Sequence, residues 1–178
     1  MYELFVLGQL MDQPMTGYQL RKALKFIVGE EQTVSYGVLY PLLDKLKQQQ
    51  LIKQNATANA TRSQKQAEIT AAGRQQFHDL VLEPVTINKQ AQLTFQIKCR
   101  FLHLLTGDEQ QHVLKDFQQF SQFQLANLEE TQRYLTDSPR MVAEDVIDAD
   151  RLNTLQLMRA QVQDDWIAEQ LVQLTEGE

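Results

Sequence analysis

Apolar side chains at Leu4, Val6, Leu7, Leu10 and Met11 fall at helical spacing, and Asp12-Gln13-Pro14 then reads as a stop. Thr16 with Gln19 three residues later has the form of a capping box, in which hydroxyl and amide satisfy orphan N–H groups at a helix start. Tyr18, Leu20, Ala23, Leu24 and Ile27 carry an apolar side from there to about Val28. The polar connection GEEQTV follows. Ser35 is suited to cap a third helix in the stretch VSYGVLYPLLDKLKQQQ, whose buried side is Leu39, Leu42, Leu43 and Leu46. Pro41 removes one helical hydrogen bond, so this helix is expected to kink there or to be poorly formed before it.

After Gln50 the period changes. LIKQN and QKQAEIT each show a rough apolar-polar alternation on either side of the small polar run ATANATRS, which predicts a two-stranded hairpin. Thr70 then caps a helix through Arg74, Phe77, Leu80 and Val81 that Pro84 halts. Three helices, a hairpin and a helix is the order of a winged helix-turn-helix domain.

Beyond Pro84, Leu93, Ile97, Phe101 and Leu104 predict a fifth helix. Thr106 with Glu109 could form another capping box. Leu114, Phe117, Ser121, Leu125, Leu128 and Leu135 then trace a stripe of about six turns. Ser138-Pro139 marks a break, and the acidic run Glu144, Asp145, Asp148 and Asp150 reads as a solvated connection into a last helix. On that helix Leu155, Met158, Val162 and Trp166 share a face, either a dimer seam or core stripe, or the lining of a ligand pocket. The fold class expected is mainly α: residues 1–83 as an N-terminal winged helix-turn-helix with a two-stranded wing, and 84–178 as an all-helical dimerisation and effector domain.

Length and charge refine this picture. The 178 residues suffice for two small cores, and no apolar run approaches the roughly 20 residues that span a membrane. The start MYELFVLGQLM has no basic leader, so it is read as a mature first helix, the compartment as cytoplasmic, and no membrane partner is expected. The net charge of −6 argues against indiscriminate nucleic-acid coating, but it conceals a split. Residues 1–82 carry nine Lys or Arg against seven Asp or Glu, and residues 83–178 carry eight against sixteen. Between Lys45 and Arg74 stand six cations (Lys45, Lys47, Lys53, Arg62, Lys65, Arg74) and one anion, Glu68, which would make a positive face for phosphates.

Catalysis is not expected. His78, His103 and His112 lie far apart, no Cys or His has zinc-ligand spacing, and no GxSxG, Gly-rich phosphate loop or HExxH occurs. No metal or cofactor is therefore assigned. The lone Cys99, within IKCRFLHLL, reads as a small buried hydrophobe. Asn55 and Asn59 match the glycosylation pattern, but are read as an unmodified polar turn at the wing tip.

A helix that enters the major groove presents polar, aromatic or small residues in its first turns. SYGVLY fits: Ser35 can reach a phosphate, Gly37 allows close approach of a DNA backbone, and Tyr36 and Tyr40 each offer a flat ring tipped with a hydroxyl. The alternative is that these tyrosines merely pack.

The segments LGQLMDQPMTGYQL, SYGVLYPLLDKLKQQQLI and ITAAGR resemble, in order and spacing over about residues 1 to 80, the PadR family of bacterial transcription regulators. The most specific parts are Gly17-Tyr18, Tyr36-Gly37 with Leu39-Tyr40-Pro41, and Thr70 with Gly73-Arg74. The resemblance implies a homodimeric repressor on double-stranded DNA, joined through its C-terminal helices and released by a small aromatic or hydrophobic effector. The DNA-facing set is then Thr16, Gly17, Tyr18, Ser35, Tyr36, Gly37, Tyr40, Arg62 and Lys65, and the dimer set Leu155, Met158, Val162 and Trp166. One departure is that Gln66-Ala67-Glu68-Ile69 lacks the aromatic residue the family often places before the threonine. With the acidic balance, this leaves a protein-interaction adaptor on a winged-helix scaffold as the alternative function.

Overall fold

The computed structural model describes residues 1–28, 36–55, 65–136 and 142–176. The chain forms two compact units, Met1–Thr106 and Gly107–Glu178, a division that falls after Thr106 and not after residue 83. Among the described residues no helix is long and apolar enough to cross a membrane.

In the first unit, α1 (Tyr2–Asp12) buries every residue from Leu4 to Leu10, Gln9 included, so it is enclosed on all sides and has no polar face along that run. It packs against α2 (Gly17–Val28), α3 (Tyr36–Gln48), α4 (Ala71–Leu82), α5 (Ala91–Arg100) and strand β3 (Gln66–Ile69). The expected capping box is present: Thr16 N donates to Gln19 Oε1 at 2.8 Å and Gln19 N to Thr16 Oγ1 at 3.2 Å. Helix α5 joins this unit because it packs on α1 and α2 and buries Phe95 and Ile97. Phe101 follows it, edge-on to Phe77 at 5.8 Å and tilted against Phe5 at 6.4 Å. The fifth helix ends sooner than its apolar period implied, giving way to a 3-10 turn at Leu102–Leu104.

The wing is richer than the expected pair of strands. Beside β2 (Ile52–Asn55) and β3 lies a two-residue strand β1 (Met15–Thr16), in the order β1-β3-β2, all antiparallel. β3 is therefore hydrogen-bonded on both edges, Met15 opposite Ala67 and Gln54 opposite the same residue. The wing tip, with Asn59, lies outside the described residues.

Helix α3 runs through Pro41 from Tyr36, so the turn before the proline is helical and not poorly formed. The loss is one bond, the donor that the Gly37 carbonyl would have had, and Gly37 is exposed to water. At its other end Leu51 N donates to Leu46 O and Gln50 N to Lys47 O, both at 3.0 Å, a Schellman closure that puts Gln50 at φ 59°.

The second unit is an antiparallel pair, α6 (Gly107–Thr136) and α7 (Ala143–Glu176), since partners recede along α6 as α7 advances. Asn153 Nδ2 donates to Leu128 O at 3.1 Å and to Gln132 Oε1 at 2.7 Å, and Gln163 reaches Gln124. Two expectations are corrected here. The acidic run Glu144 to Asp150 is no connection but the first turns of α7, where Asp150 accepts from Gln132 and Asp148 from Arg151. Acidic residues suit that position because a helix start is positive. The face of α7 buried within the unit is Asn153, Ala160 and Ile167, seven residues apart. Leu155, Met158, Val162 and Trp166 lie on the opposite side, 45%, 64%, 69% and 41% exposed, so they are not a core stripe of this chain.

Candidate nucleic-acid interface

The start of α2 meets the start of α3. A Cβ at Gly17 would stand 2.9 Å from Tyr40 Cε1, so Gly17 is required by packing between the two helices. Tyr40 is accordingly half-buried, while Gly37 and Val38 are exposed and Leu39, Leu43 and Leu46 hold the other side of α3 in the core. The Thr16 hydroxyl is engaged in its cap, also donating to Gln19 Oε1 at 3.0 Å. Tyr18, next in line, is 58% exposed. The structure thus brings Thr16, Gly17, Tyr18, Gly37 and Tyr40 to one helix junction. Tyr36 begins α3; Ser35 and Arg62 lie outside the described residues, and Lys65 is half-buried just before β3.

The wing is held to α4 by Thr70. Its side chain accepts from Gly73 N at 3.1 Å and donates to Gln50 O at 2.7 Å and Leu51 O at 3.0 Å. That ties the end of α3, the start of the wing and the start of α4 to one hydroxyl.

Charge is distributed differently from the linear tally. Lys45 pairs with Glu3 at 3.2 Å, Lys53 with Glu68 at 3.1 Å across the β2-β3 ladder, and Arg74 donates to Met11 Sδ at 3.6 Å. Sequence reasoning passed over a second group, Arg21, Lys22 and Lys25 on α2. With Tyr18 and Phe26 they line a surface hollow of about 330 Å³. The available signal was their spacing, opposite the buried Leu20 and Leu24.

Elsewhere in the first unit, burial pushes the Cys99 thiol up to about 12, and the neighbouring Lys98 cation offsets part of that rise. Cys99 is part-buried and not the fully buried hydrophobe expected, and a thiol raised this far is inert.

Helices packed at their starts, a sheet of which one hairpin forms the wing, and a capping threonine behind it define the winged helix-turn-helix class. Residues 6–79 match the transcriptional regulator PadR-like family. The negative transcriptional regulator PadR of Bacillus subtilis is 26% identical over 125 residues, 70% of this chain and 69% of that protein. Among solved structures, Bacillus subtilis PadR in complex with operator DNA is 21% identical with a TM-score of 0.43, covering 96% of both chains. The same protein with p-coumaric acid is 20% identical with a TM-score of 0.42, covering 97% of this chain and 98% of that one. The PadR-like regulator BC1756 of Bacillus cereus is 20% identical with a TM-score of 0.41 over 100% of each. Over residues 6–79 the chain is thus similar to the PadR-like family of transcriptional regulators, the family its motifs resemble.

Proposed function

We propose that the protein is a homodimeric repressor that reads double-stranded DNA with the opening turn of α3. The observation that carries this is the exposed rim of Tyr18, Gly37 and Val38 at the α2-α3 junction, on a helix otherwise anchored by Leu39, Leu43 and Leu46. Ser35, Tyr36, Tyr40, Arg62 and Lys65 complete the DNA-facing set of this reading. Repression is supported by the relative in Bacillus subtilis, named a negative regulator.

Leu155, Met158, Val162 and Trp166 serve as the dimer seam. A charged or solvated role does not suit four large apolar side chains on one exposed face, and a second copy of α7 offers the complementary stripe. A small aromatic or hydrophobic effector, the kind the family resemblance implies, releases the DNA. The adaptor alternative loses one of its motives, since β3 pairs along its whole length with β2, and at Gln66 and Ala67 with β1, without the missing aromatic residue.

A mobility-shift assay with the duplex upstream of the protein's own gene tests the reading. Retardation should weaken steeply with salt, and Tyr36→Ala should alter preference among duplexes. Absence of retardation at low salt would overturn it. In sedimentation, the wild type should run as a dimer and Val162→Asp as a monomer; a wild-type monomer refutes the seam.

A further inference from the structure

We infer that α2 is a phosphate-binding ridge, with Lys22 and Lys25 gripping the DNA backbone beside the groove that α3 enters. The inference rests on the DNA-binding reading and adds the residues that supply its electrostatic hold.

Three observations lead to it. Tyr18, Arg21, Lys22, Lys25 and Phe26 recur at i, i+3, i+4, i+7 and i+8, so they share one face for just over two turns. The described part of α2 contains no acidic residue, and among the described residues neither Lys22 nor Lys25 stands within ion-pair distance of a carboxylate. Lys45 on α3 and Lys53 on the wing, by contrast, already face Glu3 and Glu68, so part of the positive charge between Lys45 and Arg74 is neutralised within the protein. Lys22 and Lys25 are the better placed cations for phosphate.

The second observation is position. Gly17, the first residue of α2, lies against the Tyr40 ring of α3, so the ridge starts beside the helix whose exposed turn is read as the groove-entering element. In a helix-turn-helix the first of the two helices crosses the sugar-phosphate backbone. Lys22 and Lys25 are about 4.5 Å apart along the helix axis. Successive phosphates of one strand advance about 3.4 Å along a duplex axis. Two lysines three residues apart on one helix face are spaced to engage phosphates of the strand that the helix crosses.

The third is the pair of rings. Phe26 is 82% exposed, and with Tyr18 it flanks the cations around the 330 Å³ hollow. A lone solvated charge face has no use for an exposed phenyl ring. A nucleotide backbone does, because each phosphate is attached to a largely apolar deoxyribose face.

The test uses the full chain with two duplexes, the upstream region and an unrelated sequence, titrated at salt concentrations from about 50 to 200 mM. Removing two phosphate contacts should flatten the log-log salt slope by about 1.8, so Lys22→Gln/Lys25→Gln loses about twelve-fold less affinity than wild type across that range. The change should be equal on both duplexes, since phosphate contacts carry no sequence information. Phe26→Ala should weaken binding at every salt concentration with no change in slope. Lys89→Gln/Lys115→Gln, with the same change in net charge, should keep the wild-type slope. Melting curves confirm that each variant is folded.

An unchanged slope in Lys22→Gln/Lys25→Gln, while the wild type binds, overturns the ridge and leaves the DNA reading standing. The same slope change in the Lys89→Gln/Lys115→Gln control also overturns it, because net charge would then be the cause. A wild type that retards neither duplex at low salt overturns the DNA reading itself.

Discussion

Gly73→Ala separates packing from helix propensity by the sign of its effect. By propensity alone the change should help, since alanine is favoured over glycine within a helix by about 1 kcal/mol. At this position a Cβ would stand 2.1 Å from Leu51 O and 2.8 Å from Ile69 Cγ1. An ordinary carbon-oxygen contact is about 3.3 Å or longer, so the Leu51 carbonyl would have to retreat by more than an ångström. That carbonyl accepts from Thr70 N at 3.0 Å and from the Thr70 hydroxyl at 3.0 Å, and the same hydroxyl caps α4. Overpacking costs about 1–3 kcal/mol. A weakened backbone hydrogen bond and a weakened cap cost about 1 kcal/mol each. Against the propensity gain the net is a loss of about 2–4 kcal/mol, which for a unit near 100 residues lowers Tm by roughly 10 to 25 °C. Thermal unfolding followed by far-ultraviolet circular dichroism reads this directly. An unchanged or higher Tm would refute the claim that Gly73 is fixed by the approach of Leu51.

Two further outcomes follow from single sites. Gln50 occupies a left-handed position at φ 59°, which costs a side-chain-bearing residue about 1 kcal/mol, so Gln50→Gly should raise Tm by a few degrees; a fall would mean the Gln50 side chain contributes more than its backbone costs. Burial lifts Cys99 from 9.0 to about 12, so the native state keeps the thiol proton after the unfolded chain has lost it. Stability from this source is intact below about pH 9 and declines between about 9 and 12, with a limiting slope of about 1.4 kcal/mol per pH unit. Urea denaturation across that window should show a shallower decline for Cys99→Ala than for wild type, and parallel declines would contradict it.

What the sequence made legible is local. The Thr16-Gln19 box and the Thr70 cap span three residues each, and both are present. The end of α1 before Pro14 and the two wing strands followed from local punctuation and alternation. The third strand did not, because Met15 and Thr16 are too short to show a period and their partners Ala67 and Gln66 lie some fifty residues away. The Schellman closure of α3 was hidden in QQQ, where no glycine marks the left-handed residue. In the interface, composition located cations but not their counter-ions: only the fold reveals that Lys45 and Lys53 face Glu3 and Glu68 whereas Lys22 and Lys25 face none among the described residues.

Helix α7 carries the same lesson to the question of assembly. Its more conspicuous stripe, Leu155, Met158, Val162 and Trp166, is the one that the hairpin leaves outside, and its weaker one, Asn153, Ala160 and Ile167, is the one α6 covers. The weaker stripe suffices there because Asn153 is satisfied by Leu128 O and Gln132, and because α6 supplies Phe117 and Phe120 to its own side of the core. Periodicity measures how much a face gains from burial but is silent on what buries it. A helix of 34 residues with apolar groups on two opposite sides satisfies one side within the hairpin. In the homodimer we propose, a second copy covers the other side, so Val162→Asp should part the subunits while leaving α6 and α7 paired.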